Sequence, residues 1–162
     1  MERAVAVYRE RFGAIGLYEN EPYPETAASL ERLAGAGHRL YVATAKAEVY
    51  ARRILEHFGL SRHFVQVYGA ALSGEGSHKS ELLARVVAEQ RMEPARSVMV
   101  GDRAGDVAGA RANRMLGIGV LWGFGTAEEL GSADRLVSSW RELLDLVDEV
   151  SPSEARGQAT PD

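Results

Sequence analysis

Between residues 25 and 147 the chain repeatedly exchanges one hydrophobic period for another, and this alternation limits its fold more than any other feature. Short apolar runs at 39–43, 65–68, 97–100, 117–121 and 136–137 predict strands. Amphipathic stretches at 25–36, 47–58, 79–91, 106–113 and 140–147 predict helices, with a helical turn at 126–130. In the first helix Ala28, Leu30 and Leu33 point inward, and in the third Leu82, Leu83, Val86 and Val87 share one side. Glycines 35, 37 and 59 stop the first two helices. Strands that alternate with helices imply an α/β fold, a parallel sheet with helices on both faces. In such sheets ligands bind at the carboxyl ends of the strands.

Composition removes several functions. The net charge is −4 with no basic block, which argues against a nucleic-acid partner. There is no cysteine, so disulfides, zinc–thiolate sites and a cysteine nucleophile are excluded. No apolar run approaches the ~20 residues that span a bilayer, and residues 1–12 lack a signal-peptide core. A cytoplasmic protein without a membrane partner is expected. Residues 2–12 are ambiguous: Val5, Tyr8 and Phe12 share a helical face, yet 4–8 also reads as a short strand. Residues 20–24 form a loop with two prolines, and from Ser151 onward the polar, aperiodic composition predicts a disordered tail.

Polar groups suited to a phosphate and a divalent metal follow three of these elements. Thr44 and Lys46 follow the first strand, where a hydroxyl and backbone amides can cradle a phosphate oxygen. On spacing alone, Thr44 reads more readily as a helix cap. Lys79 opens a helix, where its charge opposes the helix dipole at a cost of about 0.3–1 kcal/mol. The plainer reading of Lys79 is a solvated surface residue. The third strand ends in Gly101-Asp102-Arg103-Ala104-Gly105-Asp106. Glycine lets the chain turn sharply, and two carboxylates four residues apart make a hard-oxygen pair suited to Mg²⁺. Asp106 also reads as a first-turn acid facing the dipole.

In this order, Thr44, Lys79 and Val98-Met99-Val100-Gly101-Asp102-x-x-x-Asp106 resemble the second, third and fourth motifs of the haloacid dehalogenase superfamily. Tyr23-Pro24 and residues 117–123 look like its phosphoglycolate phosphatase-like branch. The resemblance implies a Rossmann-like core at 23–149, a remnant of a cap helix and linker at 1–22, and a tail at 150–162, with the cap largely absent. It implies a Mg²⁺-dependent phosphatase acting on a small phosphorylated metabolite. Thr44 and Lys79 would be catalytic; Thr44, Ala45, Lys46 and Lys79 would contact the phosphate; Asp102 and Asp106 would hold the metal or orient its ligands. All would converge on one rim of the sheet.

The family's first motif, Asp-x-Asp-x-Thr, carries the nucleophile and the general acid and base. Here no aspartate precedes Asp102. The resemblance therefore implies a truncated, inactive copy, with Met1 internal to a longer protein. The alternative is a non-catalytic phosphate- and Mg²⁺-binding protein, or a fragment that a partner completes. It also implies a gap, because the family's first strand lies between those preceding Thr44 and Asp102. Segment 4–8 could fill that gap, the two strands could close it, or a partner could supply a strand. A receiver domain is disfavoured because it needs an acidic pair after its first strand. A dinucleotide binder is disfavoured because no Gly-x-Gly-x-x-Gly follows an early strand.

Overall fold

The computed structural model describes Glu19 and residues 21–150. The ambiguous segment 2–12, most of the expected cap remnant and nearly all of the expected tail lie outside these residues. The element order is α1 (Thr26–Gly35), β1 (Tyr41–Ala47), α2 (Glu48–His57), β2 (Gln66–Ala70), α3 (Lys79–Gln90), β3 (Val98–Gly101), α4 (Ala104–Ala112), β4 (Leu116–Val120), β5 (Arg135–Val137) and α5 (Trp140–Val150). Residues 126–130 form a single turn closed by the Leu130 N–H on the Thr126 carbonyl.

Every strand pair is parallel, as the alternation requires. Instead of one sheet there are two, β1–β2 and β3–β4–β5. Among the described residues nothing pairs with the remaining edge of β1 or of β3. Helices lie on both faces. On one face α3 and α4 cover the sheets through Leu83 and Ala110, joined by Met115 just before β4, and Ala43 of β1 and Met99 of β3 pack against them. On the other, Leu33 of α1 and Leu143, Leu144 and Val147 of α5 pack on Ile118, Val120 and Val137, with Leu40 and Val98 at the margin.

The shared clusters orient the two sheets. Leu40 and Val98, at the amino ends of β1 and β3, share one cluster; Ala43 and Met99, further along, share the other. The two strands therefore run in the same direction with their carboxyl ends on one rim. In α1 the inward positions are Ser29, Leu30 and Leu33, whereas Ala28 is exposed. The helix begins one residue later than its sequence suggests, at a left-handed Glu25.

A cleft of about 1060 Å³ separates the sheets, lined by Leu40–Ala43 on one side and Val98–Val100 on the other. Leu33 and Val147 close one face, Leu83 and Val86 the opposite one.

Candidate functional site

Strand β1 extends further than its apolar run predicts, through Ala47, and its register with β2 is irregular between Ala43 and Ala47. Thr44 thus lies inside an irregular strand end. Its Oγ1 accepts the Lys46 N–H at 3.1 Å, closing a local turn. Helix α2 starts at Glu48 without a side-chain cap. Thr44 is therefore not the cap of that helix, which was the simpler expectation from its spacing.

Lys79 is the first residue of α3. Its Nζ donates to the Ala43 carbonyl at 2.6 Å and pairs with Asp106 Oδ1 at 2.9 Å. With its side chain 14% exposed, it is not a solvated surface lysine. The aliphatic stem crosses Gly109 of α4, where a Cβ would lie 2.7 Å from Lys79 Cγ. Only a glycine there lets α3 approach α4 closely enough for the pair to form.

Asp106 is buried, and both carboxylate oxygens are engaged. Oδ1 takes Lys79, and Oδ2 accepts the Arg103 N–H at 3.1 Å. The second bond is half of a capping box, so Asp106 closes the first turn of α4 and fixes the lysine at once. Its side chain folds back over Gly101, leaving no room for a Cβ there.

Asp102 sits between two residues that adjoin Asp106, namely Gly101 and Arg103. Its Oδ2 accepts the Phe124 N–H at 2.8 Å. Gly123 and Gly125 let this loop wrap the aspartate, since a Cβ on either would strike Asp102. Oδ1 of Asp102 receives no hydrogen bond among the described residues. The other end of the same loop also holds the site, through Glu129, which accepts the Ala104 N–H and pairs with Arg103.

Lys79 thus joins the residue before Thr44 to Asp106, and Asp102 lies beside that junction without bonding to Thr44 or Lys79. The sequence reading missed two contributors, the Phe124 N–H and Glu129. The signal for the first was present in the paired glycines around Phe124.

Among the described residues no cluster of three or more His, Cys, Asp or Glu side chains is poised to hold a metal. The donor set nonetheless fits Mg²⁺, which keeps several waters and binds through one or two carboxylates. Asp102 offers the open oxygen; Asp106 is occupied by Lys79 and Arg103. No helix among the described residues is long and apolar enough to cross a membrane.

Comparison with known proteins agrees with this fold. A family model described as haloacid dehalogenase-like hydrolase matches residues 2–113. A 5'-nucleotidase of Pseudomonas aeruginosa is 45% identical over 127 residues, covering 78% of this chain and 58% of that protein. Tyrosine-protein kinase PtkA of Mycobacterium tuberculosis is 40% identical over 144 residues, covering 89% and 50%. The crystal structure of a predicted phosphatase from Clostridium acetobutylicum superposes with a TM-score of 0.86 at 37% identity, over 90% of this chain and 68% of that one. The chain spans roughly half the length of the two curated relatives.

Proposed function

The chain belongs to the haloacid dehalogenase-like hydrolases, and on that premise we propose that its rim is the phosphoryl-binding half of a phosphomonoesterase site. The observation that carries the proposal is Lys79, held part-buried between the Ala43 carbonyl and Asp106 at one rim of the sheets. At a helix N-terminus the ammonium opposes the dipole, a cost that its pairing with Asp106 offsets. Beside a phosphate it neutralises charge on the transferring group. The Thr44 hydroxyl and the Ala45 backbone amide bind the phosphoryl oxygens, with Lys46 as a further contact. Asp102 holds Mg²⁺ through its open oxygen, and when bound the ion supplies further positive charge to the phosphoryl group. Asp106 orients Lys79 and stands beside the metal shell.

Hydrolysis of a phosphomonoester by this family's route needs a carboxylate to attack phosphorus as the ester P–O bond breaks. It also needs an acid to give the departing alkoxide its proton. No aspartate precedes Asp102 to do either. The residues as given therefore bind a small phosphomonoester, such as 2-phosphoglycolate or a nucleoside monophosphate, and turn it over negligibly.

Titration of the purified chain with inorganic phosphate in the presence of Mg²⁺ tests the site. Binding that is lost in Lys79→Met and in Thr44→Val is expected; no binding by the unaltered chain overturns the proposal. A companion assay with p-nitrophenyl phosphate and Mg²⁺ tests the chemistry. Loss of a nucleophile elsewhere costs on the order of a million-fold, and turnover within about tenfold of a full-length relative would refute inactivity.

A further inference from the structure

The loop after β4 carries an aromatic side chain that the packing of the fold does not use. Phe124 is 83% exposed, the most exposed of the large apolar residues among those described. Single exposed apolar residues are ordinary on a protein surface, so exposure alone assigns it no role. Its position does. The Phe124 N–H donates to Asp102 Oδ2 at 2.8 Å. Since N and Cα are about 1.5 Å apart, the Phe124 Cα lies within about 4.3 Å of that carboxylate oxygen. The aromatic side chain therefore springs from a point beside the residue that carries the open oxygen of the site.

The backbone under this side chain is fixed from both directions. Trp122 packs on Trp140 with ring centroids 5.3 Å apart, and Leu130 is fully buried. Gly123 and Gly125 lie so close to Asp102 that a Cβ on either would strike it. The loop is thus held against Asp102 while the Phe124 ring stands in water. The charges on this side of Asp102 favour a neutral neighbour. Arg103, the next residue in the chain, is already paired with Glu129 at 3.1 Å, and Glu128 is exposed. A second anionic group on a ligand meets two acids here, whereas a neutral ring meets an apolar face.

We infer that Phe124 is a specificity-determining residue, a platform for a flat, unsaturated ring on the alcohol portion of the phosphomonoester. The ligand class is a phosphate ester of a ring-bearing alcohol, a nucleoside monophosphate or an aryl phosphate, and 2-phosphoglycolate falls outside it. The inference rests on the phosphoryl-binding reading of the rim and decides between the ligands which that reading leaves open. With the phosphate held beside Asp102, the rest of the ester emerges next to Phe124. Offset stacking of two rings contributes beyond the area it buries. It reads the π-face of a base and not its pattern of polar groups, so different bases are held alike.

Isothermal titration of the full chain in Mg²⁺ with inorganic phosphate, AMP, phenyl phosphate and 2-phosphoglycolate tests this. The quantity read is affinity relative to inorganic phosphate, in which any change at the phosphoryl site itself cancels. AMP, phenyl phosphate or both are expected to bind about tenfold more tightly than phosphate, with 2-phosphoglycolate within about threefold of it. A gain for AMP alone marks nucleosides as the source of the ring; a gain for phenyl phosphate alone marks simple aryl esters. Phe124→Ala is expected to lower the relative affinity of the ring ligands about tenfold, and Phe124→Trp to keep it. Phe124→Leu, apolar but without a π-face, is expected to lower it as well. All three variants keep the backbone N–H that holds Asp102. A leucine variant as selective as the native chain overturns the platform. So does a native chain that binds phosphate but holds neither ring ligand more tightly, or holds 2-phosphoglycolate as tightly as AMP. A native chain that binds no phosphate overturns the underlying reading of the rim, and the inference with it.

Discussion

Strands β3 and β4 lie side by side, pair residue for residue from Val98–Leu116 to Gly101–Gly119, and have opposite environments. Strand β4 has β3 and β5 on its flanks and helices on both faces, and Ile118 at its centre is fully buried. Among the described residues strand β3 has a partner on one flank only, and Val100 is 38% exposed although the residue is as apolar as any in β4. The difference teaches that burial here is set by lateral pairing as much as by sequence. In β3 the open edge leaves Val100 partly in water although helices cover the strand. Thr44 lies in the carboxyl half of β1 and Asp102 just beyond the carboxyl end of β3, the two strands that border the cleft.

The contrast is sharpest in a core truncation. Ile118→Ala removes a fully buried side chain from the interior strand and leaves a cavity between α1, α5 and the sheet. It is expected to cost about 2–5 kcal/mol in urea unfolding. A loss under about 1 kcal/mol would show that β4 is not the structural centre of its sheet.

Lys79→Met is next. It keeps the aliphatic stem over Gly109 and removes only the charge. Asp106, buried and 2.9 Å from the lost ammonium, is left as an uncompensated carboxylate. The expected cost is about 1–3 kcal/mol in urea unfolding. If stability were instead unchanged, the Lys79–Asp106 pair would not be linking α3 to α4.

The third prediction concerns β2, which is buried despite having only one paired flank. Tyr68 is 2% exposed, and burial pushes its phenol above the ordinary range. Its Oη accepts from Gln90 Nε2 at 2.8 Å, Gln90 accepts in turn from Tyr41 and Arg39, and Arg85 stacks over the ring. The folded chain therefore holds the phenolic proton more tightly than the unfolded chain, whose pKa is about 10. The stabilisation this gives is present below that value and is lost as pH rises through the folded pKa. Urea midpoints between pH 9 and 12 should fall more steeply for the native chain than for Tyr68→Phe. Equal slopes would mean that Tyr68 is not buried in its neutral form.

Much of this was legible in the sequence, for separable reasons. Helix and strand alternation follows from hydrophobic period alone, and it set the fold class and most boundaries within a few residues. Asp102 and Asp106 stood out because Gly-Asp-x-x-x-Asp after an apolar strand is an uncommon pattern. What could not be read was contact across the chain. Nothing local to Lys79 says that its ammonium reaches the Ala43 carbonyl and Asp106. Nothing local to Phe124 says that its N–H holds Asp102. The local rule for Thr44 pointed to a cap because it assumes that the helix begins at once; an irregular strand end intervenes. Ala28 was misplaced because it stands two residues before Leu30, on the opposite side of the helix, whereas Ser29 stands four before Leu33 and shares its face.

The smallest expected effect is the most discriminating, because it separates the two strands by a single substitution made twice. Val→Thr keeps the branched shape and the strand propensity and adds only a hydroxyl. At Val120 in β4, 7% exposed, that hydroxyl is buried among Ile118, Val137 and Leu143, and the cost is expected to be about 1–3 kcal/mol. At Val100 in β3 the hydroxyl meets water, and the cost should stay within about 0.5 kcal/mol. Urea denaturation of the two variants side by side measures the difference, which is the free-energy signature of the open edge. If Val100→Thr proved as damaging as Val120→Thr, β3 would already be covered in the free chain. The contrast between the strands would then vanish, and the cleft with it.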